Sequence, residues 1–518
     1  MRKMNAMAAP IASRSVPRCF KNSGRGAGII VALACLTGCA TTPAGDFLST
    51  KTPYQPRQAI ADYAPAPPGF VPLHTQLLAR HGARAMTAMK DDLALLNLCR
   101  QAAPEQALHP LGRRLMDDIE RLVQVQLLLG HGVAGISSPG YANLSRIGID
   151  EQRGLAQRLL QRQAALFAAR DGRTIAVEHS GVDRARDSAT FFMQALREAA
   201  PALGAVIEAP VVNRYSLYFH KLHAGTDGVP DAGDPRLAVY RASQRYQQYQ
   251  RSARLQSRLD AVNDDARLGP AARVVLERLF TTAFVDRLAS GQLRVANVGA
   301  TEAVSTDGSL HVRLEGNGKT VLASPVDALR ALSALYEIAP GLRAELGRDF
   351  RPYIPDEQAR LLAWLNDAED FFVKGPGDAQ DSPVTYQMAA GLLADFFEEA
   401  EQGSGRRLAS FRFAHAETII PLATLLGVAG SSTPVAAGQG FSYDNNPWRG
   451  SDVAPYAANI EWDTYRNGQG RLLVRMLYNE RETDFKGACD GARFAAGSHF
   501  YDVAALRLCY QDAFPKAP

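Results

Sequence analysis

The sequence predicts an α/β fold: a central, mainly parallel sheet flanked by helices, formed from both ends of the chain, with a largely α-helical cap domain inserted between them. Three observations predict it. Three separated segments share one layout, in which a short apolar strand runs into a turn bearing Arg or His and then into a helix. The middle of the chain is mostly helical in pattern, and the C-terminal stretch returns to strand-like alternation. With 518 residues, 46% of them hydrophobic, the chain can bury a sizeable core as one large domain or two.

Residues 1–38 read as an export signal. Six basic residues (Arg2, Lys3, Arg14, Arg18, Lys21, Arg25) and no acidic one precede the apolar run Ala27–Leu36, which is short for a membrane span. The run ends in Leu36-Thr37-Gly38-Cys39. This resembles the bacterial lipobox, where the cysteine is lipidated and becomes the new N-terminus; an ordinary signal peptide with an incidental cysteine is the alternative. Residues 39–69, rich in Thr, Pro and Ala, read as a tether. Ala40 after Cys39 resembles lipoproteins sent to the outer membrane, so the expected location is the bacterial cell envelope, lipid-anchored, facing the periplasm or the outside.

Without the six leader cations, 51 basic residues face 53 acidic ones, a formal net of −2. A near-neutral body is a poor nucleic-acid binder by bulk electrostatics, and any anionic ligand must be held by a local cluster of positive charge. Of six cysteines, Cys19 and Cys35 fall in the leader. Cys489 and Cys509, close in sequence in an exported chain, read as a disulfide, with two buried thiols as the alternative. Cys99 is left unpaired, with nothing local that makes it a nucleophile.

The α/β domain is assigned to 70–234 and 401–518, and the mostly helical insert to 235–400. Val71 to Ala79 reads as a buried strand that turns at Arg80-His81-Gly82. Thr174 to Glu178 reads as a second strand, followed by a polar loop and a helix on which Ala189, Phe192, Met193 and Leu196 recur at helical spacing. Ala409 to Ala414 leads into His415-Ala416-Glu417 and a helix over Thr418 to Leu426. In the insert, a strand-like interruption falls near 292–323. The apolar stripe Leu361, Trp364, Leu365, Ala368, Phe371 predicts a helix that stops at Lys374-Gly375-Pro376-Gly377. Tyr456 to Tyr465 and Leu472 to Asn479 alternate like strands.

In open α/β sheets, ligands bind at the carboxyl ends of strands. With the three strands as neighbours, Arg80, His81, Arg84, Arg184, His415 and Glu417 face one pocket. Three guanidiniums, two imidazoles and one carboxylate suit a phosphate, because the planar guanidinium fork matches phosphoryl oxygens. Neutral imidazole is a competent nucleophile, and the surrounding arginines should depress the His81 pKa. Against these stand plainer readings: His81 as a capped turn histidine, Arg84 as a surface ion-pair residue, Arg186 as a rival to Arg184, and Glu417 as a helix-start carboxylate.

Arg80-His81-Gly82-Ala83-Arg84 resembles the RHGxR signature of the histidine acid phosphatases, the larger branch of the histidine phosphatase superfamily. Phe413-Ala414-His415-Ala416-Glu417-Thr418 is similar to the HAE segment of the multiple inositol polyphosphate phosphatases. Ser180-Gly181-Val182-Asp183-Arg184 resembles the family's third element. Further matches are Leu144 to Gly148, Lys374 to Gly377 and Leu477 to Glu480 with the terminal cysteine pair, so the resemblance covers about residues 70 to 510.

It implies a phosphomonoesterase, acting on phytate or, as the alternative, on another phosphomonoester such as a sugar phosphate or bisphosphoglycerate. A non-catalytic phosphate-binding lipoprotein is the rival of a different class. Carried over, His81 is the phosphorylated nucleophile, Arg80, Arg84, Arg184 and His415 bind the phosphate, and Glu417 protonates the leaving oxygen. No cofactor or metal is implied, and the other eight histidines, including the near pair His220 and His223, show no metal-ligand spacing. A polyphosphate needs cations on the rim, for which Arg146, Arg214, Lys221 and Lys374 are candidates. One departure is Met86, where the family usually has proline.

Overall fold

In the computed structural model, the described residues are 47–169, 171–402 and 405–514. Ten strands occur among them: β1 (Phe70–Arg80), β2 (Thr174–His179), β3 (Val211–Val212), β4 (Val295–Val304), β5 (His311–Leu322), β6 (Arg407–Ala414), β7 (Asn459–Asn467), β8 (Leu472–Tyr478), β9 (Arg481–Thr483) and β10 (Phe500–Asp502). Eight form one mixed sheet in the order β10-β8-β7-β1-β6-β2-β3, with β9 also paired to β8. β1, β6, β2 and β3 run parallel to one another. β7, β8 and β10 continue the sheet antiparallel. The sheet thus has a parallel half, built by strand–helix units, and an antiparallel half, built by the C-terminal strands.

Period-two alternation assigns the two faces. Leu77, Ala79, Phe411 and Phe413 join Phe192, Leu196, Leu155 and Leu159 in one buried cluster, against the helices Arg146–Arg162 and Asp183–Ala199. Leu78, Ala414, Ile460 and Trp462 face the other way, into a larger cluster shared with Ile419, Leu332 and Phe371. That second cluster runs without a break into the insert. Its helices include Arg236–Tyr249, Pro325–Ile338, Asp356–Lys374 and Ala390–Glu401. The helix carrying the Leu361–Phe371 stripe ends at Lys374 as its Gly-Pro-Gly stop dictates. β4 and β5 form the two-stranded hairpin that the interruption near 292–323 announced.

The tether reading of 39–69 fails for its described part. From Phe47 the chain is a strap packed on the body: Leu48 and Tyr54 are buried, Ser49 Oγ donates to the Asp367 carboxylate, and Tyr54 Oη donates to Glu480. Scattered aromatic and aliphatic residues with buried polar partners suffice to order a segment whose composition is otherwise that of a linker. The leader and Cys39 lie outside the described residues. Cys489 and Cys509 form a disulfide. Cys99 is a free, buried thiol, pushed by burial up to about 12. Among the described residues no helix is long and apolar enough to cross a membrane.

Candidate active site

Register does most of the assembly. Arg80 of β1 pairs with Ala414 of β6, and His179 of β2 pairs with Phe413. The three strands therefore end within one residue of one another, and the next residues, His81, His415 and Ser180, come together at their carboxyl ends. Main-chain bonds carry the pairing one step further: His81 N–H donates to Ala414 O at 3.0 Å, and Ser180 N–H to Phe413 O at 3.1 Å. The helix Ala416–Leu426 then starts with His415 at its N-cap, and the helix Asp183–Ala199 begins with Arg184 in its first turn. Both present amide-rich, partly positive ends to the same place.

His81 is buried, its ring 5.4 Å from that of His415 between centroids. Its Nδ1 is 2.9 Å from the carbonyl of Gly82. A carbonyl only accepts, so Nδ1 carries the proton and Nε2 presents its lone pair. Burial, then Arg184, Arg80, His415 and Arg84, hold the imidazole well below its usual range, so it stays neutral in mildly acidic medium. His415 Nε2 lies 2.8 Å from Ser180 Oγ. Val182 N–H donates to that oxygen at 3.4 Å, and with Ser180 Oγ–H donating to Nε2 the ring proton sits on Nδ1, a buried atom with no partner among the described residues.

The arginines are held by carbonyls rather than by carboxylates. Arg80 donates to the carbonyls of Thr50 and Ala454 and lies over the Tyr456 ring, 4.7 Å from its centroid. Arg84 donates to Ala85 O at 2.6 Å. The Nε atoms of Arg80, Arg84 and Arg184 are buried without a partner among the described residues. Burial and the neighbouring Arg84 bring Arg184 down to about 10. Buried cations without counter-charges are costly, and an oxyanion offering several acceptors offsets that cost. Glu417 completes the set: burial pushes its carboxyl up, but the neighbouring Lys374 ammonium opposes that and holds it well below the ordinary range.

Two glycines let the loop sit where it does. A Cβ on Gly82 would lie 2.3 Å from Gly148 O, and one on Gly148 would lie 2.0 Å from Ala83 O. The loop is thus docked main chain to main chain on the start of the helix Arg146–Arg162. That helix also supplies Glu151, which accepts from Ala83 N–H, and Gln152, which donates to Arg80 O. Met86 earns its place too, since its N–H donates to Gln126 Oε1 at 2.7 Å, a bond that proline cannot make.

A profile of the histidine phosphatase superfamily (branch 2) matches residues 73–479. The chain belongs to that family. Among solved structures, the multiple inositol polyphosphate phosphatase of Bifidobacterium longum in complex with inositol hexasulfate is 30% identical. The match covers 91% of this chain and 99% of that one, with a TM-score of 0.79. Its complex with phosphate matches at 29% identity over the same shares, with a TM-score of 0.80. Among curated proteins, multiple inositol polyphosphate phosphatase 1 of Gallus gallus is 25% identical over 175 residues, which are 32% of this chain and 38% of the chicken protein.

All six residues singled out for the histidine phosphatase site converge. Arg184 prevails over Arg186, which is exposed and paired with Asp183 at 2.7 Å. Of the rim candidates, Lys374 reaches Glu417 (3.4 Å). Arg214 is engaged with Asp227 and lies over Tyr218. Arg146 and Lys221 are exposed. His220 stands 6.3 Å from His415, ring to ring. The sequence reading missed Thr50, Glu151, Gln152 and Tyr456. Thr50 and Gln152 act on or through main-chain atoms, which leave no motif.

Proposed function

We propose that the chain is a phosphomonoesterase that hydrolyses inositol polyphosphates, phytate among them, through a phosphohistidine on His81. One observation carries the reading: three guanidiniums without carboxylate partners among the described residues surround a neutral histidine whose Nδ1–H is tied to Gly82 O, leaving Nε2 as the nucleophilic nitrogen. The 30% identity to an enzyme solved with inositol hexasulfate, an ester isosteric with phytate, supports the substrate class.

His81 Nε2 attacks phosphorus, and the P–N bond forms as the P–O bond to the inositol carbon breaks. Arg80, Arg84, Arg184 and His415 Nδ1–H hold the phosphoryl oxygens, while Gly82 O stabilises the imidazolium through Nδ1–H. The leaving oxygen takes the carboxyl proton of Glu417 and departs as the alcohol. Glu417, now a carboxylate, takes a proton from water as the water oxygen attacks phosphorus. The P–N bond breaks, inorganic phosphate leaves, His81 is neutral again, and Glu417 returns the proton to solvent as the free enzyme re-forms. The free-enzyme Glu417 is ionised, so the incoming phosphate, with roughly −1.5 to −2 charges, must raise its pKa so that it takes up a proton from solvent before the first step.

Phosphate release from phytate and from an aryl phosphate, at pH 4 to 7.5, tests the reading with the mature protein and His81→Ala. Release from phytate that disappears in the variant is the expected result. His81-dependent release from the aryl phosphate alone moves the substrate class to another phosphomonoester. No His81-dependent release from either sinks the enzyme reading.

The lipobox-like Leu36 to Cys39 supports, on the same footing, a lipid anchor and an outer-membrane location. Fatty-acid labelling should be lost in Cys39→Ser, and labelling that persists would refute the anchor.

A further inference from the structure

Lys374 closes the helix Asp356–Lys374. Its ammonium lies 3.0 Å from Asp370 Oδ1, one turn back, and 3.4 Å from Glu417 Oε1. The lysine side chain is only 15% exposed, whereas 37% of the Glu417 side chain is open. Substrate can therefore reach the carboxylate but finds the ammonium already enclosed between two acids. Asp370 is itself tied back, accepting from Thr50 Oγ1 at 3.4 Å. A lysine so held is poorly placed to serve as a rim cation, because grasping a phosphate would strip it from a carboxylate.

Glu417 is faced from every side by charged or titratable groups. Lys374 and Asp370 come from the insert helix, His220 from the turn Phe219–Lys221, and His415 from the adjoining N-cap. Arg184 comes from the helix Asp183–Ala199, Arg80 from the end of β1, and Tyr246 from the helix Arg236–Tyr249. Burial keeps His220 and His415 neutral, and Arg80 and Arg184 are the phosphate's own ligands. Among the described residues, Lys374 is the cation within ion-pair distance of Glu417.

We propose that Lys374 is a positioning residue that decides when Glu417 carries its proton, holding it as a carboxylate until substrate phosphate arrives and again once the alcohol has left. This rests on the reading of Glu417 as the leaving group's acid. The free enzyme keeps Glu417 ionised against Lys374. A bound phosphate dianion opposes the ammonium and favours the protonated acid, which the first half-reaction needs. When the alcohol has gone, the ammonium favours the carboxylate, which the attack of water needs. Asp370 moderates the ammonium throughout.

The test is the pH dependence of kcat/KM for phosphate release from phytate, which reports free-enzyme pKa values. Lys374→Met should move the limb assigned to Glu417 upward by ~1–3 pH units, and Lys374→Arg should restore the wild-type profile. Asp370→Asn, which frees the ammonium to act on Glu417 alone, should move the limb down. A wild-type limb in Lys374→Met, with His81-dependent release intact, overturns the inference and leaves the proposed function standing. If Lys374→Met fails to fold, an unmoved limb in Asp370→Asn overturns it. Loss of His81-dependent release in the wild type would instead strike the functional reading itself.

Discussion

The arginines buried against the antiparallel strands and those at the carboxyl ends of the parallel strands are held in opposite ways. In the antiparallel half, Arg162 is paired with Glu461 and Asp463, and Arg475 with Asp463 at 3.0 Å and Glu482 at 2.9 Å. These side chains are 4–5% exposed, and each cation meets carboxylates. At the carboxyl ends of the parallel strands, Arg80 and Arg84 meet carbonyls, and among the described residues Arg80, Arg84 and Arg184 have no carboxylate within ion-pair distance. A buried charge with its counter-charge in place is structure. A buried charge whose counter-charge must come from outside is a binding site, and its cost is met by the rest of the fold. Only the second set sits at the carboxyl ends of parallel strands, where the main chain adds helix N-termini of the same sign.

Exchanging one arginine in each half sharpens the contrast. Arg475→Met leaves Asp463 and Glu482 buried with less positive charge and should cost ~3–5 kcal/mol of stability, with activity per folded molecule unchanged. Arg184→Met removes an unpaired cation. It should lower kcat by ~10²–10³-fold and leave the unfolding free energy unchanged or higher. Denaturant unfolding and phosphate release, measured on both variants, check this together. Comparable destabilisation by the two exchanges would mean that Arg184 has a structural partner and would abolish the distinction.

The same division explains what the sequence disclosed. The parallel half was legible because β1, β2 and β6 are rich in apolar residues, and the chemistry falls on the next one to five residues: His81 and Arg84 after β1, Arg184 after β2, His415 and Glu417 after β6. The pairing of β1 with β6 was not visible, since the 334 residues between paired positions leave no local signal; only the shared layout of the segments suggested it. The strap was misread for a different reason. Thr50 acts on Arg80 through its carbonyl oxygen, which every residue possesses, and Leu48 and Tyr54 are too sparse to raise a periodic signal. Lys374 was recognised as a site residue but assigned to substrate, because charge alone does not reveal that Asp370, four residues back, already holds it.

The site half also buries histidines in their neutral form, and this gives the smallest effect by which the comparison can be broken. His220 is brought by burial down to about 4. In the unfolded chain it would titrate near 6.5, so the unfolded state binds the proton first as pH falls. The stability that neutral His220 contributes is fully present above about 6.5 and is lost progressively below it, until the folded form also protonates near 4. Between pH 6 and pH 5 this removes about 1 kcal/mol. His220→Asn should abolish that increment, so the difference in unfolding free energy between variant and wild type should shift by this amount over the interval. An interval difference of zero would mean that His220 already meets solvent or a counter-charge in the folded protein, and the parallel half would then be less starved of negative charge than its arginines indicate.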